Sequence, residues 1–348
     1  MIASSIPADA LRLDAHKEIE RIVAAIREQV ASRLKRRGVV VGLSGGIDSS
    51  VSAALCVRAL GPMRVLGLLL PERDSSPDSV TLGRLVADSL GIRTAHEDIT
   101  PILAAAGCYH RRNEAIRMLI PEYTDRYKCK IALSAVGETP GYSIYFLIVR
   151  SPAGVVTKVR LTAEAYLGIV AATNFKQRVR KMMEYYYADR HQYAVVGTPN
   201  RLEHDQGFFV KNGDGAADLK PIAHLYKSQV YQLAESLHIP GEIRRRLPTT
   251  DTYSLEQTQE EFYFSLPLEK MDCCLYGKDH GMAPEEVAAT TGLEVGQVAQ
   301  IYRQIDFKRR AARYLHLGPL LATDEVTGRP YGDHRGPDEF RIPRPDAL

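Results

Sequence analysis

Apolar residues follow two rhythms along this chain. From Leu13 to Arg37, Ile19, Ile22, Val23, Ile26, Val30 and Leu34 recur at three- and four-residue intervals, the stripe of an amphipathic helix that Gly38 ends. Short unbroken apolar runs then alternate with helical stripes: strand Val39–Leu43, helix Ser49–Leu60, strand Val65–Leu70, helix Ser79–Leu90. Strands buried on both faces read as continuous apolar runs. The alternation therefore predicts an α/β fold, a doubly wound and mainly parallel sheet with helices on both faces. A ligand in such a sheet binds at the carboxyl ends of the strands.

The segment 101–167 breaks the alternation. Tyr142–Val149 and Val155–Val159 flank Ser151-Pro152-Ala153-Gly154, which predicts a β-hairpin inserted beside the main sheet. Helical and strand patterns resume with helix Thr173–His191 and strand Tyr193–Val196. Helices near Leu225–Leu237, Leu268–Tyr276, Pro284–Thr291 and Val295–Tyr314 follow. From Ala322 onward Gly, Pro and charge prevail without apolar period, as in a flexible tail. The expected organisation is an N-terminal helix (1–37), a catalytic core (38–278) carrying the insertion, C-terminal helices (279–321) and the tail (322–348).

Composition narrows the class. The chain has 348 residues, 45% of them apolar, and a formal charge of only +3, so no global field argues for nucleic acid. The basic runs Arg33-Leu34-Lys35-Arg36-Arg37 and Lys308-Arg309-Arg310 sit at helix ends, where solvated faces are common. Five cysteines, none in Cys-x-x-Cys spacing, suggest reduced structural thiols rather than a disulfide framework or metal site. Neither a signal peptide nor an apolar run of membrane-spanning length is evident, so a cytoplasmic enzyme away from membranes is expected.

The chemistry concentrates in Gly42-Leu43-Ser44-Gly45-Gly46-Ile47-Asp48-Ser49-Ser50. A strand, a glycine turn and a helix N-terminus make an anion cradle: glycines let the backbone approach phosphate, and free N–H groups and the helix dipole favour negative charge. Asp48 adds a carboxylate suited to a phosphate-bound Mg²⁺. No lysine follows the glycines, so this is not the Gly-x-x-x-x-Gly-Lys-Ser/Thr loop. The run matches Ser-Gly-Gly-x-Asp-Ser, the pyrophosphate loop of the ATP pyrophosphatases, which adenylate a substrate and release pyrophosphate.

Further polar clusters follow. Gly197-Thr198-Pro199-Asn200-Arg201-Leu202-Glu203 lies after a strand, where Glu203 could share Mg²⁺ with Asp48; alone it reads equally well as a helix N-cap with Glu203 in a capping box. Asn174, Arg178 and Arg180 open a helix, Lys211 to Asp218 form a Gly-rich polar loop, and Lys227 starts another helix. Together these clusters resemble the ammonia-dependent NAD synthetase family. That family shows Ser-Gly-Gly-x-Asp-Ser, Asn-x-x-Ala-Arg-x-Arg, Gly-Thr-Gly-Asn-x-x-Glu, Lys-Tyr-Gly-Asp-Gly-x-x-Asp, Tyr-Lys-x-Gln and Pro-Thr/Ser-x-Asp. The last two appear here as Tyr226-Lys227-Ser228-Gln229 and Pro248-Thr249-Thr250-Asp251.

The resemblance implies a Rossmann-like ATP pyrophosphatase fold and a homodimer. It implies that ATP rests on Leu43, Ser44, Gly45, Gly46, Ile47, Asp48, Ser49 and Ser50, with Arg73, Thr198, Lys227 and Thr249 nearby. Asp48, Lys227 and Thr249 would be catalytic, and Mg²⁺ would lie between Asp48 and Glu203. Asn174, Arg178, Arg180, Lys211, Asp214, Asp218, Phe262 and Lys308 would face the acyl substrate, in the family nicotinic acid adenine dinucleotide (deamido-NAD). Its carboxylate attacks the α-phosphorus, pyrophosphate leaves, and ammonia displaces AMP to give NAD.

Departures fall on the acyl side. Phe262 stands where the family has an acid, Gln177 replaces an alanine, Pro199 a glycine and Asn212 a tyrosine. Two outcomes follow: NAD synthesis with a rebuilt pocket, the favoured one, or amidation of another carboxylic acid. A tRNA-modifying ATP pyrophosphatase would share the loop but usually carries paired cysteines or a basic appendage. The start Met1-Ile2-Ala3 supplies no N-terminal cysteine nucleophile, so free ammonia or a separate glutaminase is expected as nitrogen source.

Overall fold

The computed structural model describes residues 6, 7, 9–134, 144–250 and 252–320. The tail expected at 322–348, the start of the expected strand at Tyr142, and Asp251 lie outside the described residues. In chain order the elements are α1 (Ala15–Glu28), β1 (Val39–Gly42), α2 (Ile47–Leu60), β2 (Val65–Leu69), α3 (Pro77–Leu90), β3 (Arg93–His96), α4 (Thr100–Ala105), α5 (Cys108–Arg117) and β4 (Lys128–Leu133). There follow β5 (Tyr145–Arg150), β6 (Val156–Arg160), α6 (Ala163–His191), β7 (Ala194–Val196), α7 (Arg201–Gln206) and α8 (Lys227–Ser236). The last helices are α9 (Gly241–Arg245), α10 (Leu268–Asp279), α11 (Pro284–Thr291) and α12 (Val295–His316).

The central sheet is parallel throughout, in the order β3-β2-β1-β7. β1 is flanked on both sides, Val39 pairing with Val65 of β2 and with Ala194 of β7. Its alternating side chains seed two cores. Val39 and Val41 pack with α1, α2 and α8, while Val40 packs with Leu66, Leu68 and residues of α4, α5 and α6 on the other face. The predicted doubly wound α/β architecture is therefore present. Because β1 is central and parallel, its carboxyl end and the following glycine turn open between neighbours that end on the same side.

The insertion is richer than a hairpin. β5 and β6 pair antiparallel as expected, but β4 joins them in a three-stranded sheet, Ile131 opposite Leu147 and Cys129 opposite Val149. Its signal is short: Cys129 and Ile131 point inward while Lys128 is exposed. Helices α4 and α5 also lie in this segment. Helix α6 begins ten residues before the expected Thr173, because Thr162 caps it by accepting from the Ala165 amide at 3.2 Å. A separate apolar cluster joins α10, α11 and α12 to Leu202 of α7 and to Phe264. All five cysteines are free thiols. Among the described residues no helix is long and apolar enough to cross a membrane.

Candidate active site

Strand β1 delivers the chain to the glycine turn, where the Gly46 amide donates to Ser44 Oγ at 3.3 Å. Gly45 has φ +72°, and a Cβ there would stand 2.5 Å from Leu82 Cβ, so the turn admits only glycine. Gly46 caps α2 without any side-chain bond, leaving the first amides of a 14-residue helix open. The hydroxyls brace the turn instead: Ser49 and Ser50 donate to the Gly46 carbonyl at 3.0 and 2.8 Å, and the Ser44 and Ser49 oxygens are 3.3 Å apart. This cradle lines a cleft of about 570 Å³.

Asp48, in the first turn of α2, meets residues distant in the chain. Its carboxylate accepts from Asn200 Nδ2 at 3.1 Å and is ion-paired to Lys227 Nζ. Asn200 and Glu203 form a reciprocal capping box on α7, the structural reading that this motif offered in the sequence. Glu203 is buried, accepts from Gln259 Nε2 at 2.8 Å, and also lines the cleft. Burial, then the neighbouring Asp48 charge, push its carboxyl up to about 8. Lys227 is buried as well. Desolvation alone would lower its ammonium, but Asp48 and Glu203 carry it above the ordinary lysine value. Asp272 holds the start of α8 in place, accepting from the Lys227 and Ser228 amides at 3.2 and 2.7 Å.

The carboxylate pair suits a hard divalent cation. Burial and the neighbouring Asp48 charge make ionising Glu203 costly, a cation between the two carboxylates would relieve that cost, and both offer oxygen donors. No group of three or more His, Cys, Asp or Glu side chains among the described residues could cage an ion alone. Magnesium, which commonly takes one or two carboxylates plus substrate phosphates, matches that donor set.

The other expected residues divide. Leu43, Ser44, Gly46, Ile47, Asp48, Ser49, Thr198, Lys227, Thr249 and Glu203 line the cleft, as do Asn174, Arg180, Asp214 and Phe262. Gly45 and Ser50 support the turn from behind it. Arg178 and Lys211 line an adjoining pocket of about 280 Å³ that Asn174 shares, Arg178 Nε donating to the Lys211 carbonyl at 3.3 Å. Three residues lie outside both cavities. Arg73 stacks on the Tyr109 ring at 3.7 Å and reaches Asp125, drawn away by the insertion. Asp218 is exposed and accepts from the Val195 amide at 2.7 Å, tying the polar loop to β7. Lys308 donates to the Tyr263 carbonyl at 2.7 Å over that residue's ring. Arg180, expected on the acyl side, donates to the Leu70 carbonyl and to Ser75 Oγ at the end of β2.

Several cleft residues were not anticipated. Tyr145 from β5, Tyr166 from α6 and Tyr263 bring an aromatic wall that continues through Phe262, and the Tyr145 and Tyr166 rings stack at 4.5 Å. Phe262 packs edge-on to Tyr253 with centroids 5.7 Å apart, so the position where an acid was expected is built into this wall. Glu184 also lines the cleft. It follows Arg180 by four positions on one helix, and that spacing was the only signal in the sequence.

The model of the NAD synthase family matches residues 18–137 and 148–312. The chain is 60% identical over 314 residues to the NH(3)-dependent NAD(+) synthetase of Mesorhizobium japonicum, covering 90% of this chain and 98% of that protein. In fold it is similar to NMN synthetase from Francisella tularensis, with a TM-score of 0.59 at 22% identity over 89% of this chain and 98% of that one. It is likewise similar to the NH3-dependent NAD synthetase from Campylobacter jejuni, with a TM-score of 0.58 at 23% identity over 89% of this chain and all of that one.

Proposed function

The chain belongs to the NAD synthase family, and we propose that its cleft carries out the ATP-dependent amidation of deamido-NAD by ammonia. The protein is a carbon–nitrogen ligase. The observation that carries the assignment to this cleft is the meeting of Asp48, Glu203 and Lys227 beside an open helix N-terminus. In this reading the amides of Gly46 to Ser49 hold the triphosphate. Lys227 neutralises charge as the deamido-NAD carboxylate oxygen bonds to the α-phosphorus and the bond to pyrophosphate breaks. Ammonia then bonds to the acyl carbon, AMP departs, and the nitrogen sheds a proton. Magnesium, held by Asp48 and Glu203, would supply charge neutralisation on the phosphates. Thr198 and Thr249 orient the nucleotide, while Asn174, Asp214 and the aromatic wall form the acyl side, with Arg178 and Lys211 extending it. No protein nucleophile is needed; positioning two anions in line and excluding water suffice.

The same reading makes the enzyme a cytoplasmic homodimer using free ammonia, with 38–278 as its catalytic unit and 279–321 as a helical buttress. Amidation of another carboxylic acid is not favoured, because the chain is so similar to an NH(3)-dependent NAD(+) synthetase over nearly that protein's whole length. The test incubates the enzyme with ATP, Mg²⁺, ammonium and deamido-NAD, reading NAD⁺ by mass spectrometry and pyrophosphate by a coupled assay. Stoichiometric NAD⁺ and pyrophosphate, abolished in Asp48→Asn, are expected. Absence of NAD⁺ alongside Asp48-dependent turnover of another acid would overturn the assignment.

A further inference from the structure

Helix α6 lays a polar stripe along the cleft. Asn174, Gln177, Arg180 and Glu184 recur at three, three and four residues and all line it. The last of these is a carboxylate with an unusual setting. Glu184 is 8% exposed, and its Oε2 accepts from Lys181 Nζ at 2.5 Å; Lys181 is itself only 5% exposed. Among the described residues Oε1 has no donor. It lies where β1 ends, 3.1 Å from the position that a Cβ on Gly42 would occupy, so the glycine leaves room in front of it. A buried lysine thus fixes one oxygen and leaves the other presented to the cleft.

The neighbours say what that oxygen would meet. Leu43, Leu68, Leu70 and Pro71 at the ends of β1 and β2, with Val80 of α3, give the cleft apolar lining that suits a nucleotide base. The phosphate cradle begins at Ser44, two residues beyond Gly42. In ATP the sugar is the link between base and phosphates, and its 2′ and 3′ hydroxyls are donors that need acceptors. Dinucleotide-binding sheets meet a ribose hydroxyl with a carboxylate, and Glu184 lines the same cleft as these apolar side chains and the phosphate cradle. We propose that Glu184, oriented by Lys181, accepts the ribose hydroxyls of ATP and makes this cleft selective for ribonucleotides over deoxyribonucleotides. The inference rests on ATP being the nucleotide of this cleft.

Binding of ATP, 2′-deoxy-ATP and 3′-deoxy-ATP, measured by calorimetry without the acyl substrate, tests it. A hydrogen bond to a charged acceptor corresponds to roughly a tenfold preference or more. The wild-type protein should therefore bind ATP at least about tenfold tighter than one of the two analogues. In Glu184→Gln, and in a Lys181→Met/Glu184→Leu double variant that leaves no buried charge unpaired, the ratio should fall to within about threefold. The variants' affinity for deamido-NAD, measured alone, should stay at the wild-type value. Equal wild-type binding of all three nucleotides would overturn the proposal, as would variants that weaken ATP and both analogues in the same proportion. Selective ATP binding without NAD⁺ formation would instead refute the amidation reading and leave the role of Glu184 standing. Failure of the wild-type protein to bind ATP would refute both.

Discussion

Replacing Glu203 by glutamine should make the metal-free protein more stable while making it a poorer enzyme. Glu203 is buried beside Asp48, and burial and that charge lift its carboxyl from 4.5 to about 8. A carboxyl raised on folding binds more protons in the folded chain than in the unfolded one. Its contribution to stability is fully present below the unfolded value of 4.5 and is lost as the pH climbs through about 8. Inside that window each pH unit removes about 1.4 kcal/mol, so between pH 6 and 8 the loss is roughly 2–3 kcal/mol. For a chain of 348 residues the unfolding entropy makes that a drop of about 3–4 °C in Tm.

Glutamine keeps the shape and has no charge to bury. Its carbonyl can accept from the Asn200 amide as Glu203 does, and its amide can donate to the Gln259 oxygen, which is buried without a partner. Thermal unfolding in chelator at pH 6, 7 and 8 checks this. The Tm difference between variant and wild type should widen by those few degrees as the pH rises, and added Mg²⁺ should narrow it only by stabilising the wild type. Parallel Tm curves, or a gap that closes at high pH, would refute the electrostatic account of this pair.

Lys227→Met should leave the half-buried Asp48 carboxylate beside buried Glu203 without its cation, lowering stability by about 3–5 kcal/mol and deamido-NAD-dependent release of pyrophosphate by about 10²–10³-fold; chemical denaturation and a coupled assay read the two. Lys176 is fully buried and bonds Glu72 and Asp74 at 2.8 Å and the Thr252 carbonyl at 2.7 Å, joining the loop after β2 to the segment following Thr249. Lys176→Met should therefore cost about 3–5 kcal/mol in denaturation, with an Asp74→Asn/Lys176→Met double variant losing less than the sum of the singles. Burial lowers the Lys308 ammonium to about 7, so this lysine's contribution to stability is present at high pH and lost as the pH falls from 10.5 to 7. The Tm gain from Lys308→Met should accordingly grow as the buffer is taken from pH 10 to pH 7; a gain independent of pH would refute it.

The sheet and the phosphate loop were readable because they are written in consecutive residues. Val39-Val40-Val41 with the glycines after it specifies strand, turn and helix start within a dozen positions, and the fold places them so. The insertion was less legible. Its strand β4 buries only Cys129, Ile131 and Ala132, and α6 starts early because of a capping threonine rather than a change in apolar period. The acyl side was legible as residue types but not as places: Arg178 and Arg180, two apart on α6, face different cavities because successive helical positions diverge around the axis.

By itself the sequence determined that a glycine turn suited to an anion opens at the end of a central parallel strand, since backbone amides and glycines act through local geometry alone. What tertiary structure decided is the electrostatics around that turn. Lys227 lies 179 residues from the Asp48 it pairs with, Phe262 becomes a wall only against Tyr253 and Phe208, and Glu184 matters only because Lys181 and Gly42 leave one of its oxygens free. Charge and burial are properties of neighbours in space, and packing selects those neighbours.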